Sequence, residues 1–237
     1  MKQQILEFPV DSLSTFDSFV VCDGNAAALQ FAKRIVDIAD SDKLLYLHGP
    51  SGSGKTHLIK SVMQELTITG TGNVAYLSCK TPISSEMLAT TFEKSSALLI
   101  DDLHLLPDDA DVRAALWQVF NDYYIAGRPI VMAGLNPPRE LPHIDDHLVS
   151  RLLWGLVARV DASDDHSRMM ILKKVADDRQ VRVPDDVVDY ILITASREVG
   201  ELIDTFEAIY RLSLAEKRKI TLAIAKESRE LVIARGL

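Results

Sequence analysis

The sequence predicts an α/β fold: a parallel five-stranded sheet flanked by helices on both faces, followed by a small all-helical C-terminal domain. Three observations predict it. Five short apolar runs, at 44–48, 74–79, 97–101, 129–134 and 156–160, are nearly continuous in Leu, Ile and Val rather than alternating. Strands covered on both faces read this way. Helical patterns at 25–40, 55–67, 85–94 and 111–126 separate the strands. Strand, helix and strand in alternation argue for a parallel sheet with helices on both sides. Beyond residue 161 the strands stop, and 166–179, 185–194, 199–216 and 222–234 all read as helices.

Local signals punctuate these elements. Pro184 and Asp185 mark a helix start, since proline is tolerated in a first turn. Lys219, Ile220 and Thr221 form a short connector before the last helix. The layout expected is a tail at 1–12, an α/β domain at 13–161 and a helical domain at 162–237. Neither internal repeats nor low-complexity segments are evident.

Composition bounds the function. The chain has 237 residues, enough to bury a large core without disulfides or metals. The net charge is −8, with 13 Lys and Arg against 20 Asp and Glu in 1–161 and 13 against 14 in 162–237. Phosphate-driven DNA binding needs a basic surface, so direct DNA binding is expected to be weak or absent. Cys22 and Cys79 fit no metal or redox spacing, and Cys79 reads as a buried thiol. No signal peptide and no membrane-spanning run is read from the sequence, and a reducing cytoplasm is the expected compartment.

The chemistry concentrates after the first strand. Residues 45–56 read Leu-Tyr-Leu-His-Gly-Pro-Ser-Gly-Ser-Gly-Lys-Thr. Gly49, Pro50, Ser51, Gly52, Ser53, Gly54, Lys55 and Thr56 thus make a G-x-x-x-x-G-K-T loop between a strand and a helix, the context a phosphate loop requires. Glycines let backbone N–H groups turn inward around an anion, and the following helix adds its N-terminal dipole. Lys55 is expected to reach the β- and γ-phosphates of ATP or ADP, and Thr56 to ligate Mg²⁺. About 45 residues on, the apolar strand at 97–101 ends in Asp101 and Asp102. Asp101 is expected to hold the metal through its water shell and Asp102 to polarise the attacking water.

These motifs resemble the AAA+ ATPase domain of the bacterial replication initiator DnaA. The segment Thr15-Phe-Asp-Ser-Phe-Val-Val-Cys-Asp-Gly-Asn25 resembles its opening, as do Leu98-Leu-Ile-Asp-Asp-Leu-His-Leu-Leu106, Pro137-Pro-Arg-Glu-Leu141, Ser150-Arg-Leu-Leu-Trp-Gly155 and Ile171-Leu-Lys-Lys174. The resemblance runs from about Ser14 to Leu231. It implies that Phe19, Val20, Asn25 and His57 line the nucleotide site and that the helical domain is a lid. The initiators continue into a C-terminal helix-turn-helix domain for DNA, and no counterpart is expected after this lid. That architecture is similar to the Hda regulators, which promote hydrolysis of ATP on DnaA together with the DNA-loaded sliding clamp.

Two further features follow from that resemblance. Gln3, Leu6 and Phe8 fit Q-x-x-L-x-F, similar to a clamp-binding peptide in which spaced anchors occupy a pocket. Arg151 matches the family's arginine finger, which reaches a neighbouring subunit's nucleotide and neutralises charge on the transferred phosphoryl group. A helix-surface arginine paired with Asp145 or Asp146 is the plainer alternative. Three positions depart from the pattern. Leu135 stands at the sensor-1 position, with Asn136 one residue out of register. Gly200 replaces the sensor-2 arginine, with Arg197 three residues earlier, and His147 stands where the initiators have another arginine. Losing both sensor side chains should weaken intrinsic hydrolysis more than binding. His57 and His104 lack a third ligand at metal spacing. Trp117 and Trp154 read as packing residues.

The expected function is an Hda-like regulator of replication initiation, with the sliding clamp and DnaA as partners and self-association as a further expectation. The alternatives are an autonomous ATPase that remodels or loads a replication protein such as a helicase, and a binding module with structural nucleotide.

Overall fold

A computed structural model describes residues 14–70 and 72–234. Gln3, Leu6 and Phe8 lie outside the described residues. The strands are β1 (Leu44–His48), β2 (Ala75–Ser78), β3 (Leu98–Asp101), β4 (Ile130–Gly134) and β5 (Leu156–Arg159). They form one parallel sheet in the order β2-β3-β4-β1-β5. β1 is therefore paired on both edges, Leu45 facing Val131 on one side and Leu156 on the other.

Each face of the sheet meets helices. α1 (Ala26–Val36) and α2 (Lys55–Ile68) cover the face that carries Leu45, Leu47, Leu99, Val131 and Ala158. α3 (Ser85–Phe92), α4 (Ala110–Ile125) and α5 (Asp146–Leu152) cover the face that carries Leu44, Tyr46, Leu98, Ile100 and Met132. Alternate residues of each strand thus enter different cores, and both cores exclude water. This is why the strand sequences are apolar without alternation.

Local chemistry sets the element ends. α1 stops at Val36, short of the predicted residue 40. The carboxylate of Asp37 accepts from the Ala39 N–H at 2.9 Å and Arg34 reaches forward to Asp40 at 2.7 Å, so the chain turns instead of continuing the helical ladder. Ser84 and Asp109 cap α3 and α4 through their side chains. α5 is an element that periodicity does not predict, because seven residues give less than two full turns of pattern. It carries Arg151.

α6 (Asp165–Asp178), α7 (Asp185–Thr194), α8 (Val199–Glu216) and α9 (Leu222–Ala234) form a helical lid with its own core around Leu172, Ile191, Leu202, Phe206 and Ile224. α7 and α8 keep the bounds read from the sequence. Arg168 is 2% exposed and holds the lid's interior turn. Its guanidinium donates to the carbonyls of Leu192, Ala195 and Ser196, groups left without helical partners at the end of α7. A small cluster of Cys22, Ala162 and Ile171, with Val20, Val175, Val199 and Ile203 against it, joins the lid to the segment before α1.

Phe206 is fully buried in the lid core and stacks on Tyr210. Phe206→Ala should lower the unfolding free energy by about 3–5 kcal/mol, the usual range for truncating a buried phenylalanine. A urea titration followed by circular dichroism measures this. A loss under about 1 kcal/mol would mean that the lid core is not close-packed.

Candidate nucleotide site

The loop between β1 and α2 is built on close approach. A Cβ on Gly49 would lie 2.0 Å from the Val160 carbonyl oxygen, and φ there is +150°. Gly54 has φ +105°, and a Cβ on it would meet the Phe19 ring at 3.0 Å. Both positions need glycine because the loop passes against β5's exit on one side and the segment before α1 on the other. The Gly49 N–H donates to the Leu135 carbonyl at 3.2 Å, tying the loop to the end of β4.

Lys55 opens α2 and is 6% exposed. Its ammonium donates to the carbonyls of Gly49 at 2.8 Å and Pro50 at 2.6 Å, so it closes the loop on itself. Burial lowers its pKa, and attraction from Asp101 and Asp102 works in the opposite direction. Thr56 donates to Asp101 Oδ2 at 2.5 Å, joining the two residues expected to serve the metal. Asp101 is fully buried, receives the Tyr76 hydroxyl at 3.2 Å and accepts from the Asp102 N–H at 2.8 Å. Asp102 sits in the left-handed region at φ 56°, receives the Ser78 hydroxyl at 2.8 Å and has the Lys80 ammonium 3.6 Å away. The sequence reading missed Tyr76, Ser78 and Lys80. Two-residue spacing on β2 beside β3 was the available signal, but only the parallel register brings Ser78 opposite Asp101.

A cavity of about 160 Å³ lies between this loop and the lid. Phe19, Val20, Asn25, Ser53, Gly54 and His57 line it from below, as the sequence reading placed them. Ile171, Val175, Val199 and Ile203 close it from α6 and α8, and these four were not foreseen. Their helical periodicity shows only that they are apolar. Asn25 is turned to the protein: its amide oxygen accepts from the Cys22 N–H and its amide nitrogen donates to the Val20 carbonyl, shaping the floor. His57 bonds the Thr15 carbonyl at 2.9 Å and Ser18 Oγ at 3.1 Å, and burial lowers its pKa. The Ser53 hydroxyl is buried without a hydrogen-bond partner.

These features fit a nucleotide with Mg²⁺. The loop offers inward backbone and a buried ammonium, and Ser53 lacks the partner that a buried hydroxyl requires. Thr56 and Asp101 together offer hard oxygen donors, and Mg²⁺ takes few protein ligands when phosphates supply the rest. Among the described residues no group of three or more His, Cys, Asp or Glu could hold a metal alone.

The remaining expected positions divide. A Cβ on Gly52 would meet the Gly200 nitrogen at 3.2 Å, so the start of α8 lies against the loop tip. A Cβ on Gly200 itself would meet nothing within 4 Å. Arg197 turns away, to the Ser163 carbonyl at 3.2 Å and Asp165 at 3.4 Å. His147 lies against the Trp117 ring. Arg151 does not join the cluster. It stands just before Gly155, where a Cβ would meet Leu44, so it belongs to the edge where β1 begins rather than the edge where the loop follows. It is also not paired with Asp145 or Asp146, since Asp145 faces Arg113 at 3.7 Å. Its guanidinium lies over the rings of Tyr124, at 5.1 Å, and Trp154, at 4.5 Å. Trp154, read from the sequence as a packing residue, lies against the Tyr124 ring yet is 63% exposed, because α5 ends at the sheet edge.

The chain matches two family models, the bacterial DnaA ATPase domain over residues 10–159 and the Hda lid domain over residues 165–228. It is 28% identical over 229 residues to the chromosomal replication initiator DnaA of Enterococcus faecalis, covering 90% of this chain and 51% of that protein. It is 27% identical to DnaA of Thermoanaerobacter sp., covering 93% and 52%. The chain thus spans about half the length of these curated relatives. In structure it is similar to domain III of Thermotoga maritima DnaA, with TM-score 0.81 and 24% identity over 93% of this chain and 97% of that one. It is also similar to AMPPCP-bound DnaA from Aquifex aeolicus, with TM-score 0.73 and 24% identity over 83% and 64%. Likeness at that identity speaks for the fold. The family matches carry more: the chain belongs to the bacterial DnaA ATPase-domain family, as an AAA+ protein whose lid is of the Hda type.

Proposed function

We propose that this chain is an Hda-like regulator of replication initiation. It binds ADP or ATP, docks on the sliding clamp through Gln3, Leu6 and Phe8, and offers Arg151 to ATP bound on DnaA. The division at residue 161 then separates a nucleotide-binding domain from its lid. One observation carries the reading. Arg151 lies at the opposite edge of the sheet from its own phosphate loop, across a strand of five residues, or roughly 13–16 Å at about 3.3 Å each. That exceeds an arginine's reach. A group so placed acts on a neighbour's nucleotide rather than its own.

The site residues take roles by their contacts. The backbone of Gly49, Pro50, Ser51, Gly52, Ser53 and Gly54 surrounds the phosphates, and Lys55 exchanges two loop carbonyls for phosphate oxygens. Phe19, Val20, Asn25 and His57 form the floor of the nucleotide cavity. Thr56 and Asp101 would hold Mg²⁺, which supplies charge neutralisation to the phosphates. Asp102, oriented by Ser78 and Lys80, is the group placed to polarise water. AMPPCP in the Aquifex aeolicus DnaA supports assigning a nucleotide to this cavity.

The intact cluster of Thr56, Asp101 and Asp102 also supports a second reading, an autonomous ATPase acting on a replication protein. The exposed Leu135 and the glycine at position 200 argue against it, because neither presents charge to a γ-phosphate.

Three outcomes test these assignments. Lys55→Ala removes a buried donor and should bring ADP and ATP binding below detection by calorimetry. Wild-type affinity there would displace the phosphate loop from its role. Intrinsic turnover should be slow. Gly200→Arg should raise it, because the added side chain has open space beside the loop tip. A brisk wild-type ATPase without partners favours the autonomous reading. Arg151→Ala should keep nucleotide binding and melting temperature but lose the stimulation of hydrolysis on ATP-loaded DnaA, with clamp on DNA present. Fingers supplied in trans are worth about 10³–10⁵ in rate in GTPases, so the loss should be large. Full activity of that variant would remove the regulator reading.

A further inference from the structure

We infer that Trp154 and Tyr124 are positioning residues for Arg151, an aromatic cradle that holds the guanidinium extended at the sheet edge without neutralising it. This rests on the reading of Arg151 as a group delivered to a partner's nucleotide.

The cradle is anchored. The Tyr124 ring stacks on Phe120 at 5.9 Å and 14°, and Phe120 is fully buried against the sheet. Trp154 lies 6.4 Å from Tyr124 at a tilt of 56°, and its backbone N–H donates to the Arg151 carbonyl at 3.0 Å. The guanidinium therefore sits over two rings whose own positions are fixed by α4 and by the end of α5. None of the ion pairs among the described residues includes Arg151, although two aspartates begin the same helix.

A delivered arginine has two conflicting needs. Its long side chain must be ordered before the partner arrives, or its ordering is charged against the reaction. Its charge and its N–H donors must nevertheless remain available. A carboxylate would order it but occupy those donors, and delivery would then have to break the pair. An aromatic face attracts the cation through the ring quadrupole and leaves the five in-plane donors pointing outward. Trp154 is 63% exposed, so most of its indole lies outside the interior, beside Tyr124 and the guanidinium.

Trp154→Ala, Trp154→Phe and Arg151→Ala are compared with wild type in one assay: hydrolysis of ATP on ATP-loaded DnaA, titrated with each protein in the presence of sliding clamp on DNA. The exposed position of Trp154 should leave the melting temperature unchanged. Trp154→Ala should lower the maximal rate about two- to fivefold, the effect of one exposed cation–π contact on a barrier. Its half-saturating concentration should stay constant, and Trp154→Phe should restore most of the rate. A raised half-saturating concentration with wild-type maximal rate would overturn the cradle, making the indole a docking contact. Failure of phenylalanine to rescue would overturn it too. Wild-type behaviour of Trp154→Ala beside an inactive Arg151→Ala overturns the cradle and leaves the regulator reading standing. An active Arg151→Ala overturns both.

Discussion

β1 has no free edge and no free face, and the site depends on that confinement. β4 and β5 pair with its two edges, while Leu45 and Leu47 enter one core and Leu44 and Tyr46 the other. The chain leaving β1 must turn within the width of the sheet. It passes so close to Val160 that Gly49 tolerates no side chain. The loop that results is curled by its surroundings, with the Ser53 N–H donating back to the Pro50 carbonyl at 3.4 Å. Lys55 then closes it with two carbonyl contacts that are available for exchange. A phosphate site of this kind is preorganised, since the cost of bending the backbone is met when the sheet forms.

The sheet also separates two groups of residues by distance. Its C-terminal edge holds the phosphate loop, the paired aspartates and the cavity under the lid. Its N-terminal edge holds Arg151 with Tyr124 and Trp154. One rigid sheet thus keeps the loop and the Arg151 guanidinium at fixed separation. The lid core is distinct from both sheet cores, and its contact with the base runs through the cluster around Cys22 and Ile171. The cavity is lined from both sides, by the base and by α6 and α8 of the lid.

Around the phosphates the electrostatics are uneven. Lys55 supplies a buried positive charge, and Asp101 and Asp102 supply two negative ones. Leu135 and Gly200 add nothing, and Arg197 is held by Asp165 and the Ser163 carbonyl. The site therefore retains what grips a nucleotide and lacks part of what stabilises charge as a phosphoryl group departs.

By itself the sequence determined what is encoded in contiguous residues. The five strands, the G-x-x-x-x-G-K-T loop and the Asp101–Asp102 pair were legible because periodicity and motif spacing are local properties. So were the helices of the lid, three of them to the residue. The nucleotide floor at Phe19, Val20, Asn25 and His57 and the arginine at 151 came from family resemblance and not from periodicity. The tertiary structure decided the sheet order, and with it the pairing of Ser78 and Tyr76 with the two aspartates across β2 and β3. It decided which apolar lid residues, Ile171, Val175, Val199 and Ile203, roof the cavity and which merely fill the lid. It decided that Arg151 lies on rings rather than on Asp145 or Asp146. In the sequence the carboxylates of Asp145 and Asp146 stood as the plainer alternative, although spacings of six and five residues do not bring them beside Arg151 on one helix face. Arg113, brought in on α4, takes Asp145 instead, and the aromatic rings of α4 and of the turn after α5 receive the guanidinium. The contacts of Arg151 with Tyr124 and of Asp145 with Arg113 join residues distant in the chain, and only the packing of the α4 and α5 segments brings them together.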